Sequence, residues 1–478
     1  MSFVQVEFVA FFAIVFGAYW ALSAWGSPER GRRGQNLLLV VASAVFYGWV
    51  HPWFCGLLLA SALLDYTAAR VMTARPGWRD VALIASIGGN LIVLGYFKYF
   101  NFFVANVATV FEATGVGADL RLLKILLPVG ISFYTFQTLS YTIDVYRGQL
   151  KARTRLLDVL VFVGFFPQLV AGPIERAADL LPQVERPRSF QLDRVLEGLT
   201  LALWGAVQKL CIADTLAPYI DKVFLLADPP GPLLWAAALG FTVQLYADFA
   251  GYTDIARGTA RMLGFELSVN FRSPYLAATT PEFWQRWHIT LSRWIRDYVL
   301  VPLVSTAPRV TVPHLIGAVT LTFMLVGLWH GARWNFVLFG LFHALAITIY
   351  TLLDRAVPDA RRWRWARPFA IVVHFVVVGV VGAMIFRETR IDRIVHHLQT
   401  PPWVGSPDDF VAAAVILGMT TAVSVPFIAS HFVVRYLVPE LRGSPWAAPV
   451  QTTAWAVFAV ALFVFYRVGG TDFIYFQF

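Results

Sequence analysis

Long apolar runs recur along the whole chain. Four of them cover Phe8 to Ala24, Val81 to Tyr96, Phe369 to Ile385 and Ala454 to Tyr466. Their lengths are near the ~20 residues that a helix needs to cross the hydrocarbon core of a bilayer. Hydrophobic residues make up 58% of the 478 positions and charged residues 14%, which is more apolar surface than a soluble globule could bury. We therefore expect an integral membrane protein.

The fold class follows from the pattern within these runs. They lack the alternation of strands in membrane β-barrels, and unsatisfied backbone groups are costly in hydrocarbon. We predict an all-α fold, a polytopic bundle of about ten to thirteen transmembrane helices with some re-entrant or amphipathic segments. No repeat, low-complexity tract or long linker interrupts the sequence, so residues 1–478 are expected to form a single integral membrane domain.

The positive charge has a topological explanation. The formal net charge is +9, but the basic residues lie in short loops between apolar runs. Arg30, Arg32 and Arg33 follow the first run, and a denser cluster extends from Arg355 to Arg367. Such loops are typical of membrane proteins whose basic segments face the cytoplasm. We therefore expect the lipid bilayer, and no nucleic acid, as a partner.

The central third of the chain differs from the rest. Residues 171–194 and 258–304 are richer in charge, proline and aromatic side chains, and their prolines interrupt helical runs. Irregular backbone at membrane depth is tolerated only where it is buried in protein or lines a wet cavity. We therefore expect the functional site in this part of the chain.

Two histidines stand out there. A neutral imidazole can take a proton from an attacking hydroxyl and return it to a leaving group. His288 lies in an aromatic-rich stretch, and His330 lies between Gly327 and Gly331. The missing glycine side chains would let a substrate or another backbone approach closely. From the residues alone, structural and catalytic roles are about equally favoured for these two histidines.

The other polar residues in apolar runs are expected to be structural. His343, His374 and His431 lie in plain apolar helices, and the hydroxyl and amide groups of residues 132–144 and 244–257 suit bonds between helices. No nucleophile elbow, phosphate-binding glycine loop, zinc-protease motif or cysteine cluster occurs. This argues against a serine hydrolase, an ATP-driven transporter and a zinc protease, and we expect no metal site.

At the two unusual histidines the sequence resembles a known family. Residues 283–298, FWQRWHITLSRWIRDY, and residues 327–335, GLWHGARWN, are similar to the signature of the membrane-bound O-acyltransferases. Further matches to the alginate O-acetyltransferase branch are residues 128–137, 166–174, 248–256, 270–275 and the terminal FIYFQF at 473–478. The resemblance covers nearly the whole chain.

The resemblance implies roles for individual residues. It implies a helical bundle around a central tunnel, in which His330 is the general base of acyl transfer. His288 matches a second histidine that orients the base or shares its proton. Four further residues are expected to shape the tunnel and bind substrate: Arg286, Trp287, Trp329 and Asn335.

The resemblance also implies a reaction and a place. It implies an O-acetyltransferase in the bacterial inner membrane that takes acetyl groups from a cytoplasmic donor. The donor is expected to be acetyl-CoA, as a substrate and not as a bound cofactor. The acetyl group would pass to periplasmic or membrane partner proteins that modify an exopolysaccharide such as alginate.

Two alternatives remain at this point. One is transfer of D-alanyl groups from a carrier protein to a cell-wall polymer, and the other is a polysaccharide or small-molecule transporter. The chain also departs from the family after residue 303, where Val304 to Arg309 replace a Gly-Gly-Asn-Arg-like turn. This change leaves the acceptor open without affecting the histidines.

Overall fold

The computed structural model describes residues 1–24, 26–115, 122–170, 172–306, 308–356, 366–433, 440 and 444–466. Within these ranges the regular structure is helical and no strand occurs. Ten helices there are long and apolar enough to cross a membrane. The predicted all-α polytopic fold is therefore confirmed. The terminal motif at 473–478 and the arginines at 361, 362 and 364 lie outside the described residues.

The helices are α1 Val6–Ser23, α2 Pro28–Gly48, α3 Phe54–Ala74, α4 Arg79–Leu94, α5 Phe100–Ala113, α6 Ile131–Tyr146, α7 Leu156–Gly164, α8 Phe166–Leu169, α9 Ala177–Glu185, α10 Leu192–Ala206, α11 Asp214–Leu225, α12 Gly231–Met262, α13 Thr280–Arg286, α14 Ile289–Ile295, α15 Val301–Ser305, α16 Val312–His330, α17 Trp334–Ala356, α18 Arg367–His374, α19 Val381–Arg387, α20 Ile391–Gln399, α21 Pro407–Phe432 and α22 Ala447–Phe465. Wider π-helical turns occur at Gly95–Tyr99, Val207–Ala213, Arg296–Leu300 and Phe375–Val380.

The chain forms two compact units. The first consists of Met1–Gly198 with Ala256–Ser268, and the second of Leu199–Ile255 with Val269–Phe478. All six predicted site residues belong to the second unit. The expectation that the chain is one functional domain stays a prediction.

Polar side chains join helices in the first unit. Asp65 of α3 accepts hydrogen bonds from Ser86 and from Asn90 of α4, the latter at 3.0 Å. Ser86 also bonds Thr142 of α6 at 2.9 Å. Since polar groups have no water partners inside a bilayer, such bonds hold neighbouring helices together.

Arg32 corrects one expectation of the sequence. It does not lie in an exposed loop after the first span but in α2, where it is buried. Its guanidinium pairs with Asp158 of α7 at 3.1 Å, and Asn36 donates to the same carboxylate at 2.9 Å. A buried charge requires such a partner. The charge of Arg32 therefore ties α2 to α7 instead of marking a loop.

Close packing of α16 against α17 organises part of the second unit. The two helices are joined by a short turn and run antiparallel. A Cβ atom at Gly327 would overlap the carbonyl oxygen of Phe336, and one at Gly340 would overlap that of Phe323. Because glycine lacks this atom, the two backbones can touch. This contact places the end of α16 against the start of α17.

Candidate active site

His330 is the last residue of α16 and is enclosed by aromatic rings. It is 6% exposed. Its ring centre lies 5.0 Å from that of Trp329, 5.2 Å from Phe386 and 5.7 Å from Phe339. These neighbours come from α16, α17 and α19, so three helices determine where the imidazole stands.

The glycines that flank His330 make room for protein. Gly327 receives the backbone of Phe336, and a Cβ atom at Gly331 would overlap the Phe336 ring. The sequence left open whether a substrate or another backbone approaches these glycines. In the structure both positions are occupied by α17.

His330 also borders a small cavity of about 30 Å³. The other residues of its wall include Leu245, Tyr275, Phe283, Trp287, Phe339 and Phe386. His343 of α17 contributes a second imidazole to the same wall. The hydroxyl of Tyr275 donates a hydrogen bond to the carbonyl of Thr242 at 2.7 Å, so it is engaged with protein. A small, mainly apolar cavity with imidazole groups suits a short acyl chain and excludes bulk water.

His288 is held by one amide oxygen. Its Nδ1 lies 3.2 Å from Oδ1 of Asn270, and the same oxygen accepts from the backbone N–H and the hydroxyl of Thr290 at 3.2 and 2.9 Å. Because an amide oxygen can only accept, Nδ1 of His288 carries the hydrogen and Nε2 keeps its lone pair. Burial lowers the pKa of His288 to about 3, so the ring is neutral at physiological pH.

The backbone of His288 is unusual as well. Its φ of 42° lies in the left-handed region, which non-glycine residues seldom adopt. The residue is the N-cap directly before α14, and its carbonyl accepts from the N–H of Ser292 at 2.9 Å. Local strain of this kind is often found at functional sites.

Trp329 joins the two predicted catalytic histidines. Its ring centre lies 5.7 Å from that of His288 and 5.0 Å from that of His330. Of the two, His330 borders the cavity. The structure therefore brings both histidines onto one indole ring but assigns them different surroundings.

The other predicted site residues divide into two pairs. Trp287 borders the cavity and stacks on Phe283 at 5.6 Å, and Trp329 contacts both histidines. Arg286 instead pairs with Glu282 at 2.7 Å and Asn335 donates to the carbonyl of Phe386 at 3.2 Å. Substrate binding by these four residues stays a prediction, and the contacts of the second pair are with protein.

Two residues at the site were missed by sequence reasoning. Asn270 had no signal beyond its place in a family motif. His343 was expected to be structural, yet it borders the same cavity as His330. A signal existed, because Asn335, Phe339 and His343 recur every four residues and so share one face of α17. Because Asn335 was already a predicted site residue, a histidine on the same helix face is also a candidate for the site.

Comparison with known proteins identifies the family. The model of the MBOAT, membrane-bound O-acyltransferase family, matches residues 149–387. The probable alginate O-acetylase of Azotobacter vinelandii is 41% identical over 375 residues, covering 77% of this chain and 72% of the relative.

More distant relatives act on other polymers. The peptidoglycan O-acetyltransferase of Helicobacter pylori is 31% identical over 388 residues, covering 75% of this chain and 71% of the relative. The teichoic acid D-alanyltransferase of Bacillus subtilis is 30% identical over 273 residues, covering 52% and 67%. As its sequence predicted, the chain belongs to the membrane-bound O-acyltransferase family and is an O-acyltransferase.

Proposed function

We propose that this enzyme moves acetyl groups from cytoplasmic acetyl-CoA to an exopolysaccharide such as alginate. The observation that carries the proposal is His330 on the wall of a buried, mainly apolar cavity. The acetyl group and the alginate acceptor are supported by the relative from Azotobacter vinelandii. We place the enzyme in the bacterial inner membrane, where periplasmic or membrane partner proteins receive the acetyl group and transfer it to the exopolysaccharide. Membership of an acyltransferase family argues against the transporter alternative.

His330 acts as the general base in this proposal. Its imidazole takes the proton of the acceptor hydroxyl as the hydroxyl oxygen attacks the carbonyl carbon of the acetyl thioester. The tetrahedral intermediate then expels the thiolate, which receives the proton from His330. Proton transfer of this kind contributes about 10²- to 10⁴-fold in rate. Enclosure by aromatic rings keeps out the water that would hydrolyse the thioester.

His288 is proposed as a positioning residue. Its neutral ring, oriented by Asn270, packs against Trp329, which in turn packs against His330. Loss of the His288 ring would allow Trp329 and His330 to shift. A misplacement of about 1 Å can cost about 100-fold in rate. His288 can therefore affect the rate through Trp329 without contacting the substrate.

A second cavity supports a phosphate-bearing donor. It is partly open, has a volume of about 490 Å³, and is bordered by Arg272, Arg293 and Arg296. Trp284 of α13 lies on its wall, whereas the adjacent Phe283 lies on the wall of the His330 cavity. Arginine binds phosphate groups well. An acyl donor could therefore place its phosphates against these arginines and its thioester on the other side of α13.

The first experiment is label transfer from radioactive acetyl-CoA in membranes. The His330→Ala enzyme should lose at least about 100-fold in rate. His314→Ala is the matched control, because His314 lies at the other end of α16, where it contacts the carbonyl of Val304, and it should transfer label at the wild-type rate. Full activity of His330→Ala would contradict the proposed role of His330.

The donor is tested separately. Arg293→Gln should raise KM for acetyl-CoA by about tenfold, the loss of one charge-assisted hydrogen bond of ~1.5 kcal/mol. Arg390→Gln, which removes an exposed arginine paired with Asp392, should leave KM unchanged. If wild-type enzyme transfers an acyl group from a carrier protein and none from acetyl-CoA, the D-alanyl alternative replaces the proposed donor.

A further inference from the structure

His343 is a buried imidazole in the middle of α17. It is 1% exposed. Its ring lies 4.5 Å from Phe339, 5.0 Å from Trp284 and 6.1 Å from Phe283, the last nearly parallel at 9°. Nδ1 has no hydrogen-bond partner among the described residues. Leaving a buried polar atom unpaired is costly, so an imidazole is a poor choice for mere packing among aromatic rings.

The other ring nitrogen of His343 faces the His330 cavity. Nε2 would lie 3.3 Å from a Cβ atom added to Gly382, and both Gly382 and His343 belong to the cavity wall. A neutral imidazole always carries a hydrogen on one nitrogen. A hydrogen on Nε2 would point a donor at whatever occupies the cavity.

The upper limit on the separation of the two imidazoles is compatible with an acyl-transfer geometry. The Phe339 ring centre is 5.7 Å from that of His330 and 4.5 Å from that of His343, so the imidazole centres are at most about 10 Å apart. A hydroxyl bonded to His330 would lie about 3.2 Å from the carbonyl carbon that it attacks. The carbonyl oxygen would then lie about 2.9 Å from a donor. A reacting pair of this size would therefore reach from one histidine to the other.

We propose that His343 donates a hydrogen bond from Nε2–H to the carbonyl oxygen of the acyl group in the cavity. When the acceptor oxygen bonds to the carbonyl carbon, the C=O electron pair moves to the carbonyl oxygen, and His343 stabilises this negative charge. The carbon–sulfur bond of the thioester then breaks, and the thiolate takes the proton held by His330. His343 is thus a catalytic residue, and the inference rests on the proposed role of His330 as base.

The experiment compares His343→Phe, His343→Gln and wild-type enzyme in the label-transfer assay. Phenylalanine fits the aromatic surroundings and removes the donor, whereas glutamine can place an amide N–H near the position of Nε2. We expect His343→Phe to lower kcat by about 10²- to 10³-fold, with KM for acetyl-CoA within about threefold of wild type. His343→Gln should recover at least tenfold over His343→Phe.

A second variant tests the direction of the hydrogen bond without changing the histidine. Gly382→Ala places a methyl group against Nε2 and should lower kcat by at least about tenfold. Gly418→Ala is the control, since its added Cβ atom has no neighbour within 4 Å, and it should keep the wild-type kcat. The O-acetyl content of polymer made in cells carrying each variant supplies a readout that does not depend on the identity of the donor.

The outcomes separate this inference from the proposed function. A His343→Phe enzyme with wild-type melting temperature and wild-type kcat would overturn the role of His343 alone. Equal losses in His343→Phe and His343→Gln would also overturn it, because the retained donor would then make no difference. Failure of the proposed function would instead appear as an active His330→Ala enzyme.

Discussion

Replacing Gly327 by alanine tests whether the contact between α16 and α17 determines the position of His330. The added Cβ atom would overlap the Phe336 carbonyl oxygen and stand 2.9 Å from its carbonyl carbon, about 0.5 Å inside the 3.4 Å of ordinary contact. The obstacle is backbone, which cannot rotate away as a side chain can. Overpacking of this kind costs ~1–3 kcal/mol, and the higher helix propensity of alanine offsets ~0.5–1 kcal/mol.

The same displacement should reach the active site. His330 lies one helical turn after Gly327, so a shift of the end of α16 moves the imidazole with it. Because the carbonyl oxygen lies nearer still, the shift is at least about 0.5 Å, and since about 1 Å of misplacement can cost about 100-fold, the rate should fall by at least about tenfold. We expect Gly327→Ala to show both a lower melting temperature and this loss of rate.

The assay combines thermal melting of the detergent-solubilised enzyme with label transfer from acetyl-CoA. Gly317→Ala is the matched control, because Gly317 lies on the same helix and its added Cβ atom would have no neighbour within 4 Å. This control should melt no lower than wild type and keep its rate. If Gly327→Ala behaves like Gly317→Ala, the close contact of α16 with α17 does not position His330.

Three further predictions concern other parts of the structure. Asn270→Ala removes the oxygen that accepts hydrogen bonds from His288 and Thr290, so it should destabilise the fold by ~1–3 kcal/mol and slow acyl transfer. Asn270→Asp keeps an acceptor oxygen and should have a melting temperature closer to that of wild type. In the wild-type protein the Lys209 ammonium lies 2.7 Å from Asp214 and 2.8 Å from Asp248, and both carboxylates are buried. Lys209→Met removes this cation and should lower the free energy of unfolding by ~3–5 kcal/mol. Arg390→Met is the control, because it removes an ion pair that is exposed to solvent, and it should leave the melting temperature unchanged. Burial raises the pKa of Glu175 from 4.5 to about 7, so the folded state favours the protonated carboxyl and stability should fall as pH rises from 4.5 through 7. Glu175→Gln should melt with a weaker decline between pH 5 and pH 8, and parallel declines in the two proteins would contradict this assignment.

Much of the fold was readable from local pattern. Each apolar run can be recognised by itself, because the length needed to cross a bilayer and the cost of unpaired backbone groups act on every segment separately. The run from Phe369 to Ile385 accordingly falls within the span Arg367–Arg387, and the run from Phe8 to Ala24 agrees with the span Val6–Ser23 to within two residues at each end. Arg32 was misassigned because its partner Asp158 lies 126 positions further along the chain.

The sequence by itself determined the membrane-embedded helical architecture and singled out His288 and His330, since hydropathy and short motifs are properties of neighbouring residues. Only the tertiary structure decided which groups meet. Packing of α17 into the glycines of α16 explains the residues flanking His330, and a single oxygen of Asn270 sets the tautomer of His288. The cavity formed by α13, α16, α17 and the segment around Gly382 gives His343 a place beside His330. Such contacts depend on distances between residues far apart in the chain, because burial and hydrogen bonding are decided by neighbours in space.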